Sequence, residues 1–483
     1  MSFLLATAAL VAAGYALLRL LRLATGRAAV DAAVAWFAGT GYFALAVFVL
    51  RFLFGLRYTA LSAAGVLSLP VVLLAAPWAR RPGKGASPEP GSPPQAARLV
   101  PRPAWLFAPL AAYVVFTTAV VVLHGVNTPT QTDDALRVRA FAPVLAFRDE
   151  WGAEARSVLV MSGPVPTFAP SLGWRLSGGI DQFHVNGSIL ASLLALLVLA
   201  IALPSARGRP ERGWLSAFAV LSLPLFVYHC TATYADATLA IYLGAAFLFF
   251  VEFGLGADSK DAQRAALLLL CAALVKREGE IAAGAVAAVL LAQAAWQARR
   301  SGRTLVGRLL LLWLPLVPVL AARVSLVGLQ SAFPFLSVAA QKAVEVAPQV
   351  PQGPAGPPQG RVAAAFLWSV FSSGSGGIVC WVLAAALLLT LAGRGRRGTA
   401  WTLAALLLLF AEVAVTSLWL FPTFTLDQST VNRQLLPLAV AGALWLVAFF
   451  DEAFLPGTPA GAAAAAPRGA PASRGRGRRD RRG

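Results

Sequence analysis

The chain has little charge for its length. Only 13% of its 483 residues are Asp, Glu, Lys or Arg, whereas 58% are hydrophobic. A water-soluble protein of this size needs a polar surface, and so few charged residues cannot supply one. Most apolar side chains must therefore face lipid or one another, which excludes a soluble globular protein.

Segments of alternating polarity are missing as well, although a transmembrane β-barrel needs them at a length of about 10 residues. The sequence has instead long apolar runs, such as 104–126, 187–203 and 401–421. Each is close to the roughly 20 residues with which a helix crosses a bilayer. We predict an all-α polytopic membrane protein with about 13 transmembrane helices. The predicted spans are 3–18, 31–54, 58–78, 104–126, 187–205, 214–229, 236–254, 264–275, 281–296, 309–327, 378–392, 400–421 and 435–450.

The first apolar run has no basic residue before it and is followed by Arg19, Arg22 and Arg27. This order is the reverse of a secretory signal, so we expect the run to be retained as a span. It also places the amino terminus outside, because basic residues that flank spans stay in the cytoplasm. Threading the remaining spans from there leaves most of the 40 Lys and Arg residues in cytoplasmic segments. We expect a multi-pass protein of a bacterial inner membrane, with its active site facing the periplasm or exterior.

The spans and their connections divide the chain into four parts. Residues 1–78 form a three-helix membrane segment, 79–103 a Pro-, Gly- and Ser-rich cytoplasmic linker, and 451–483 a disordered basic cytoplasmic tail. Residues 104–450 form the core, with a large outer loop at 127–185. We predict an interfacial helix in this loop that is broken near Pro143, then a short extended stretch at 157–161. A loop of this length usually has a function of its own.

The three cysteines, Cys230, Cys271 and Cys380, are far apart and show no metal-type spacing, so we expect free thiols. The net charge of +19 lies largely in short loops and the tail rather than on one face. Lipid is therefore the expected partner of these charges, and nucleic acid is not.

Candidate chemistry begins with two adjacent carboxylates, Asp133 and Asp134, which follow Thr132 just after a span. Thr132 could cap a helix whose first turn they occupy, which would be a purely structural role. However, other charged residues recur at outer span ends: Asp236, Lys276, Arg277, Glu278 and Arg433. We therefore predict that Asp133, Asp134, Asp236 and Lys276 converge on one cavity at the outer face. Such a site would offer carboxylates for base or metal chemistry and cations for phosphate.

In order and spacing, residues 104–450 resemble the type C membrane glycosyltransferases, the group that contains protein mannosyltransferases and lipid A aminoarabinose transferases. An acidic pair in the first large outer loop is typical of that group. The group also has segments that resemble three segments of this chain, YADATLA, ALVKREG and NRQLLPL. The chain departs from the pattern at Arg277 and Glu278, where a small residue is more common. Its APSLGW segment is also a poor version of the usual tyrosine–proline segment.

The resemblance implies an inverting transfer of a sugar from a polyprenyl-phosphate donor to a hydroxyl of a glycan, lipid or protein acceptor. In that reaction Asp133 or Asp134 would be the base, and Lys276, Arg277 and Arg433 would hold the donor phosphate. Asp236, Glu278 and His184 would be metal ligands or supporting residues. Mg²⁺ or Mn²⁺ suits such oxygen ligands, but the sequence does not decide whether a metal is required.

Three alternatives remain open. A secondary transporter also has many spans and a few charges near a cavity, although the sequence shows no internal repeat and Glu412 is its one clear mid-span acid. A lipid-linked polysaccharide polymerase or ligase would act on similar substrates. A non-catalytic membrane scaffold is the third. Soluble nucleotide-sugar transfer is disfavoured, because no cytoplasmic segment has a glycine-rich phosphate loop or a D-x-D motif.

Overall fold

The structure, a computed structural model, describes residues 1–76, 107–127, 141–152, 156, 158–159, 163–232, 234–256, 258–301, 305–332, 359–371, 377–391, 397–420 and 429–454. These residues form helices and no strand. The helices are α1 (Ser2–Leu20), α2 (Ala28–Phe52), α3 (Ala60–Ala75), α4 (Ala108–Asn127), α5 (Phe141–Arg148), α6 (Pro164–Ser177), α7 (Gln182–Ser205), α8 (Pro210–Leu221), α9 (Pro224–Thr231), α10 (Ala235–Gly254), α11 (Ser259–Ala273), α12 (Arg277–Ser301), α13 (Leu305–Trp313), α14 (Leu316–Ala332), α15 (Gln359–Phe371), α16 (Gly377–Leu391), α17 (Arg397–Val415) and α18 (Ser429–Phe454). A π-helical segment, Thr416–Leu420, continues α17.

The predicted class, a polytopic all-α membrane protein, is confirmed for the part of the chain that the structure describes. Nine helical segments there are long and apolar enough to cross a membrane, or ten if α8 and α9 form one span. These two helices meet at an angle of 72°. The bend lies just before Pro224, which has no N–H to donate back into α8 and therefore starts a new helix.

The count of 13 spans remains a prediction. Each predicted span coincides with helical residues, but α3, α11 and α16 have only 16, 15 and 15 residues. At 1.5 Å per residue such helices are about 24 Å long or less, which is short of the roughly 30 Å hydrocarbon core. They could cross only where the bilayer is thinned locally or where other helices flank them.

The first two helices pack with their backbones in contact. A Cβ atom on Gly14 would lie 1.9 Å from the Ala35 carbonyl oxygen, and one on Gly39 would lie 1.9 Å from the Leu10 carbonyl oxygen. Small residues allow membrane helices to approach this closely, so that dispersion contacts hold them together. Since α2 also packs against α7, α11 and α14, the N-terminal helices are part of the main bundle.

The centre of the bundle is α10. Its side chains are buried continuously from Asp236 to Phe253, because α7, α11, α17 and α18 pack around it. A helix that is apolar on all sides needs such an environment or lipid. The two ends of α10 therefore project charged residues into protein: Asp236 at the end that we call the site end, and Glu252 at the opposite end.

A buried ionic network lies at the opposite end. Arg207 and Arg212 both bind Glu252, and Arg207 also binds Asp261. Asp261 in turn accepts from Arg264 at 2.7 Å, while the Arg264 Nε donates to the Leu23 carbonyl at 2.7 Å. Each charge is thus satisfied by an opposite charge or a carbonyl, which is the condition for burial. The network joins α8, α10 and α11 to the connections α1–α2 and α7–α8.

The outer loop corrects one local prediction. Pro143 lies in α5, but residues 128–140 lie outside the described residues, so the predicted break of the interfacial helix near Pro143 stays a prediction. Val158 and Leu159 are helical, so the extended stretch predicted at 157–161 is wrong for these two residues. A helix that was not predicted, α6, follows at Pro164.

Side chains of this loop pack on the connection between α2 and α3. Arg51 donates to Asp149 at 2.7 Å, and the Arg175 guanidinium lies 5.0 Å from the centre of the Tyr58 ring. The same ring meets Phe168 of α6 edge-on at 5.5 Å. Burial raises the pKa of the Tyr58 phenol above its usual range, so this ring stays neutral beside the guanidinium.

We expect Gly39→Ala to destabilise the protein, because the new methyl group would collide with the Leu10 carbonyl. Overpacking of this kind typically costs about 1–3 kcal/mol. The matched control is Gly65→Ala in α3, where an added Cβ has no atom within 4 Å. Thermal unfolding in detergent should show a lower midpoint for Gly39→Ala only. Equal midpoints for the two variants would contradict the close packing of α1 on α2.

The topology predicts that Ser177→Cys, exposed after α6, reacts with a membrane-impermeant maleimide in intact cells. Lys260→Cys, exposed at the opposite end of the bundle, should react only after permeabilisation. The unsubstituted chain gives the background, since Cys230 and Cys271 are buried. Labelling of Lys260→Cys in intact cells would show that the threading is inverted.

Candidate functional site

A small cavity at the site end contains most of the charged residues that the sequence singled out. It lies between α10, the α11–α12 turn, α17 and α18, is partly open, and has a volume of about 20 Å³. The residues that line it are Asp236, Leu239, Lys276, Glu278, Ala282, Leu409, Glu412, Val413, Arg433, Gln434, Pro437 and Leu438. Residues that are up to about two hundred positions apart in the chain therefore share one space.

The central contact of the cavity is an ion pair between the Lys276 ammonium and the Asp236 carboxylate. Asp236 lies in the first turn of α10, where the helix dipole favours a negative charge. Lys276 lies in the turn just after α11, where the dipole favours a positive one. Only 11% and 10% of the two side chains are exposed, so each charge depends on the other for its burial. Glu278 lies 3.8 Å from the same ammonium and is more exposed, at 41%.

The outer loop is attached to this turn. The Val165 N–H at the start of α6 donates to the Leu274 carbonyl at 3.1 Å. Gly163, one residue before α6, has φ +70°, and a Cβ there would lie 2.3 Å from the Val275 carbonyl oxygen. Glycine is therefore required both by the backbone angle and by the close approach. The contact places α6 directly beside the turn that carries Lys276.

Arg433 forms a second positive group in the cavity. Its guanidinium lies 5.7 Å from the centre of the Tyr234 ring, a cation–π distance. The other neighbour of Tyr234 is His229, whose ring stacks on it at 4.5 Å. The rings of His229, near the end of α9, and Tyr234, just before α10, thus form a platform that orients Arg433 near the start of α18.

Two polar residues of the cavity were not predicted as part of the site. Glu412 lies on α17, one turn before the π-helical segment, and the Thr416 hydroxyl lies 3.5 Å from its carboxylate. Gln434 of α18 accepts a hydrogen bond from Ser417 at 3.1 Å. Glu412 stood out in the sequence as the one clear acid within a predicted span. The apolar residues around it did not indicate which face of the helix it occupies.

The structure brings together four of the predicted site residues, namely Asp236, Lys276, Glu278 and Arg433. Arg277 is not among the residues that line the cavity. Asp133 and Asp134 lie outside the described residues, so their predicted convergence with Asp236 and Lys276 stays a prediction.

His184 has a different environment from the one expected of a supporting residue. Its Nδ1 is 2.6 Å from Asp181, which also accepts from the His184 backbone N–H and so caps α7. Its Nε2 is 3.1 Å from the Ser2 hydroxyl. Both ring nitrogens are thus engaged in a contact that ties the start of α1 to the start of α7, and His184 does not line the cavity.

In the described ranges no group of three or more His, Cys, Asp or Glu side chains could hold a metal ion. The predicted metal therefore has no complete ligand set among these residues. Asp236, which we predicted as a possible ligand, forms an ion pair with Lys276. The prediction of Mg²⁺ or Mn²⁺ therefore depends on Asp133 and Asp134.

No family model, curated protein or solved structure matches the chain.

We expect the Lys276–Asp236 pair to be strongly coupled in stability. Lys276→Met or Asp236→Leu alone leaves one buried charge unpaired, which typically costs about 3–5 kcal/mol. The double variant replaces the pair with apolar groups and should recover most of this loss. Thermal unfolding midpoints of the four proteins test the coupling, with Lys260→Met at the opposite end as the control. Losses that simply add in the double variant would contradict the ion pair.

Proposed function

We propose that the chain is an integral-membrane glycosyltransferase that moves a sugar from a polyprenyl-phosphate donor to an acceptor hydroxyl on the extracytoplasmic side. The observation that carries the proposal is the cavity at one end of the spans, where Lys276 and Arg433 lie beside carboxylates. Two cations in a small, partly enclosed space suit a phosphate group. The carboxylates beside them suit the hydroxyl groups of a sugar and an acceptor.

An apolar pocket next to the cavity supports a lipid-linked donor. It has a volume of about 150 Å³ between α15, α16, α17 and α18, and every residue that lines it is apolar. Leu438 lines both this pocket and the charged cavity. A single molecule with an anionic head and a long hydrocarbon tail would therefore place its head in the charged cavity and its tail in the apolar pocket, with Leu438 between them.

The reaction would proceed by direct displacement. Asp133 or Asp134 takes the proton of the acceptor hydroxyl, whose oxygen then forms a bond to the anomeric carbon. The bond from that carbon to the phosphate oxygen breaks, and its electron pair leaves with the polyprenyl phosphate. Because the acceptor attacks opposite the leaving group, the anomeric configuration inverts. Lys276 and Arg433 stabilise the negative charge that grows on the phosphate.

The Lys276–Asp236 pair sets the strength of this phosphate site. Asp236 neutralises part of the lysine charge and fixes its ammonium in the cavity. An incoming phosphate would replace the weaker contact, that with Glu278 at 3.8 Å, rather than the contact with Asp236. The site is therefore preorganised, and its two cations are offset by three carboxyl groups, which suits a product phosphate that must leave.

A secondary transporter is the second candidate, and Glu412 is the observation that favours it. This carboxylate lies within a candidate span and beside a π-helical segment, two features that also occur in ion-coupled transport sites. The two functions differ in their products. A transporter moves its substrate unchanged, whereas a transferase releases polyprenyl phosphate.

The proposed activity predicts release of polyprenyl phosphate when the protein in lipid nanodiscs is incubated with undecaprenyl-phosphate sugars and hydroxyl acceptors. Mass spectrometry detects the freed lipid phosphate, and a heat-inactivated sample serves as the control. Movement of the intact donor across proteoliposomes without any cleavage would favour the transporter instead.

Charge-removing variants should separate the base from the phosphate site. Asp133→Asn or Asp134→Asn, whichever is the base, should lower turnover by about 100-fold or more with donor binding retained. Arg433→Gln and Lys276→Gln should weaken donor binding as well, because the phosphate is charged before and during the reaction. The control is Glu211→Gln, in the first turn of α8 at the end of the bundle opposite the cavity. Near-normal turnover in both aspartate variants would remove them as the base.

A further inference from the structure

Glu412 differs from the other two carboxylates of the cavity in its partners. Asp236 binds Lys276 directly, and Glu278 lies within 4 Å of the same ammonium. Among the described residues no Lys, Arg or His group forms an ion pair with Glu412, whose one hydrogen bond there is the long contact with Thr416. Within the part of the chain that the structure describes, the cavity therefore contains a carboxyl group that forms no ion pair.

The backbone around Glu412 is shaped to present it to the cavity. The π-helical segment Thr416–Leu420 widens the helix directly after it, and such segments are common at functional sites. On the facing helix Pro437, which lines the same cavity, cannot donate the usual hydrogen bond to the Arg433 carbonyl. Ser417 and Gln434 are hydrogen bonded across the gap between these two irregular stretches. This contact holds Gln434 against the π-helical segment, and Gln434 and Glu412 line the same cavity.

The position of the cations determines what would contact Glu412. A phosphate bound by Lys276 and Arg433 places the group bonded to it over the same partly open cavity, next to the other residues that line it. In the donor that we propose, this group is the sugar. The polar side chains that remain to receive it are those of Glu412, Gln434 and the more exposed Glu278, which the phosphate displaces from Lys276. A carboxylate accepts hydrogen bonds from hydroxyl groups, and an amide both accepts and donates.

A metal cation is a poorer occupant of this part of the cavity. Lys276 and Arg433 line the same small space and would repel it. Neutral hydroxyl groups meet no such repulsion, and a carboxyl oxygen accepts hydrogen bonds from them.

We propose that Glu412, supported by Gln434, binds hydroxyl groups of the donor sugar and thereby determines which sugar the site accepts. The inference rests on the proposed function, since it assumes a sugar attached to the bound phosphate. A site built to hydrogen bond a hydroxyl rejects sugars that lack it or present it in another direction, because the buried polar groups would be left unpaired. Glu412 would act as a specificity residue, distinct from the phosphate-binding role of Lys276.

Binding measurements on two kinds of lipid test this role without requiring turnover. Native mass spectrometry of the protein in nanodiscs gives its affinity for bare undecaprenyl phosphate and for a panel of undecaprenyl-phosphate monosaccharides. The wild-type protein should bind at least one of the sugar-bearing lipids more tightly than the bare lipid. Glu412→Gln should lower affinity for that lipid about 10-fold or more, as expected for loss of a charged hydrogen bond, and leave the bare lipid nearly unchanged.

Two further variants make the result specific. Gln434→Leu should show the same selective loss in smaller degree, whereas Arg433→Gln should weaken both kinds of lipid by a similar factor. Glu211→Gln is the matched control for loss of a glutamate, and unfolding midpoints verify that each variant is folded.

Other outcomes contradict one proposal or the other. If Glu412→Gln weakens both lipids equally, or neither, or if the wild type shows no preference for any sugar, the specificity role is overturned while the lipid-phosphate site stands. If the wild type binds neither the bare nor the sugar-bearing lipid, the proposed function fails, and the role of Glu412 fails with it.

Discussion

The ion pair between Lys276 and Asp236 is the contact on which the cavity depends. A charge held among apolar helices is tolerated only if an opposite charge or a set of hydrogen bonds compensates it. This requirement holds the beginning of α10 against the turn between α11 and α12. Because α10 is buried along its length, the pair also fixes the cavity relative to the centre of the bundle. The ionic network around Glu252 meets the same requirement at the other end of α10.

The irregular parts of the helices are placed where function needs polar backbone and side chains. In a membrane, regular helices satisfy their own backbone hydrogen bonds, so departures from helical geometry are tolerated mainly where protein or water covers them. The π-helical segment after α17 and Pro437 in α18 lie next to the cavity. The 72° bend between α8 and α9 leads towards His229 and Tyr234, which support Arg433. Strict helical regularity in these places would leave fewer polar groups at the cavity.

Much of the helical architecture could be predicted from the sequence, because long apolar runs without charge leave few other structures in a membrane. The grouping of Asp236 with Lys276 could also be predicted, since both residues lie at span ends on the same predicted side. The position of Glu412 within a predicted span was not enough to assign it to the site, because its role depends on which face of α17 meets α18. The extended stretch at Val158 and Leu159 was predicted wrongly, because short apolar segments do not distinguish strand from helix. His184 lies at the depth of the predicted site, and its described contacts are those of a helix cap.

The most direct test of the central claim is a cryo-electron microscopy structure with a non-cleavable phosphonate analogue of an undecaprenyl-phosphate sugar. We expect the phosphonate between Lys276 and Arg433, the sugar against Glu412 and Gln434, and the hydrocarbon chain leaving past Leu438. The same map would show whether Asp133 or Asp134 approaches the anomeric carbon. Well-resolved analogue bound elsewhere on the protein, with the Lys276–Asp236 cavity closed around its own side chains, would contradict the assignment of this cavity as the active site.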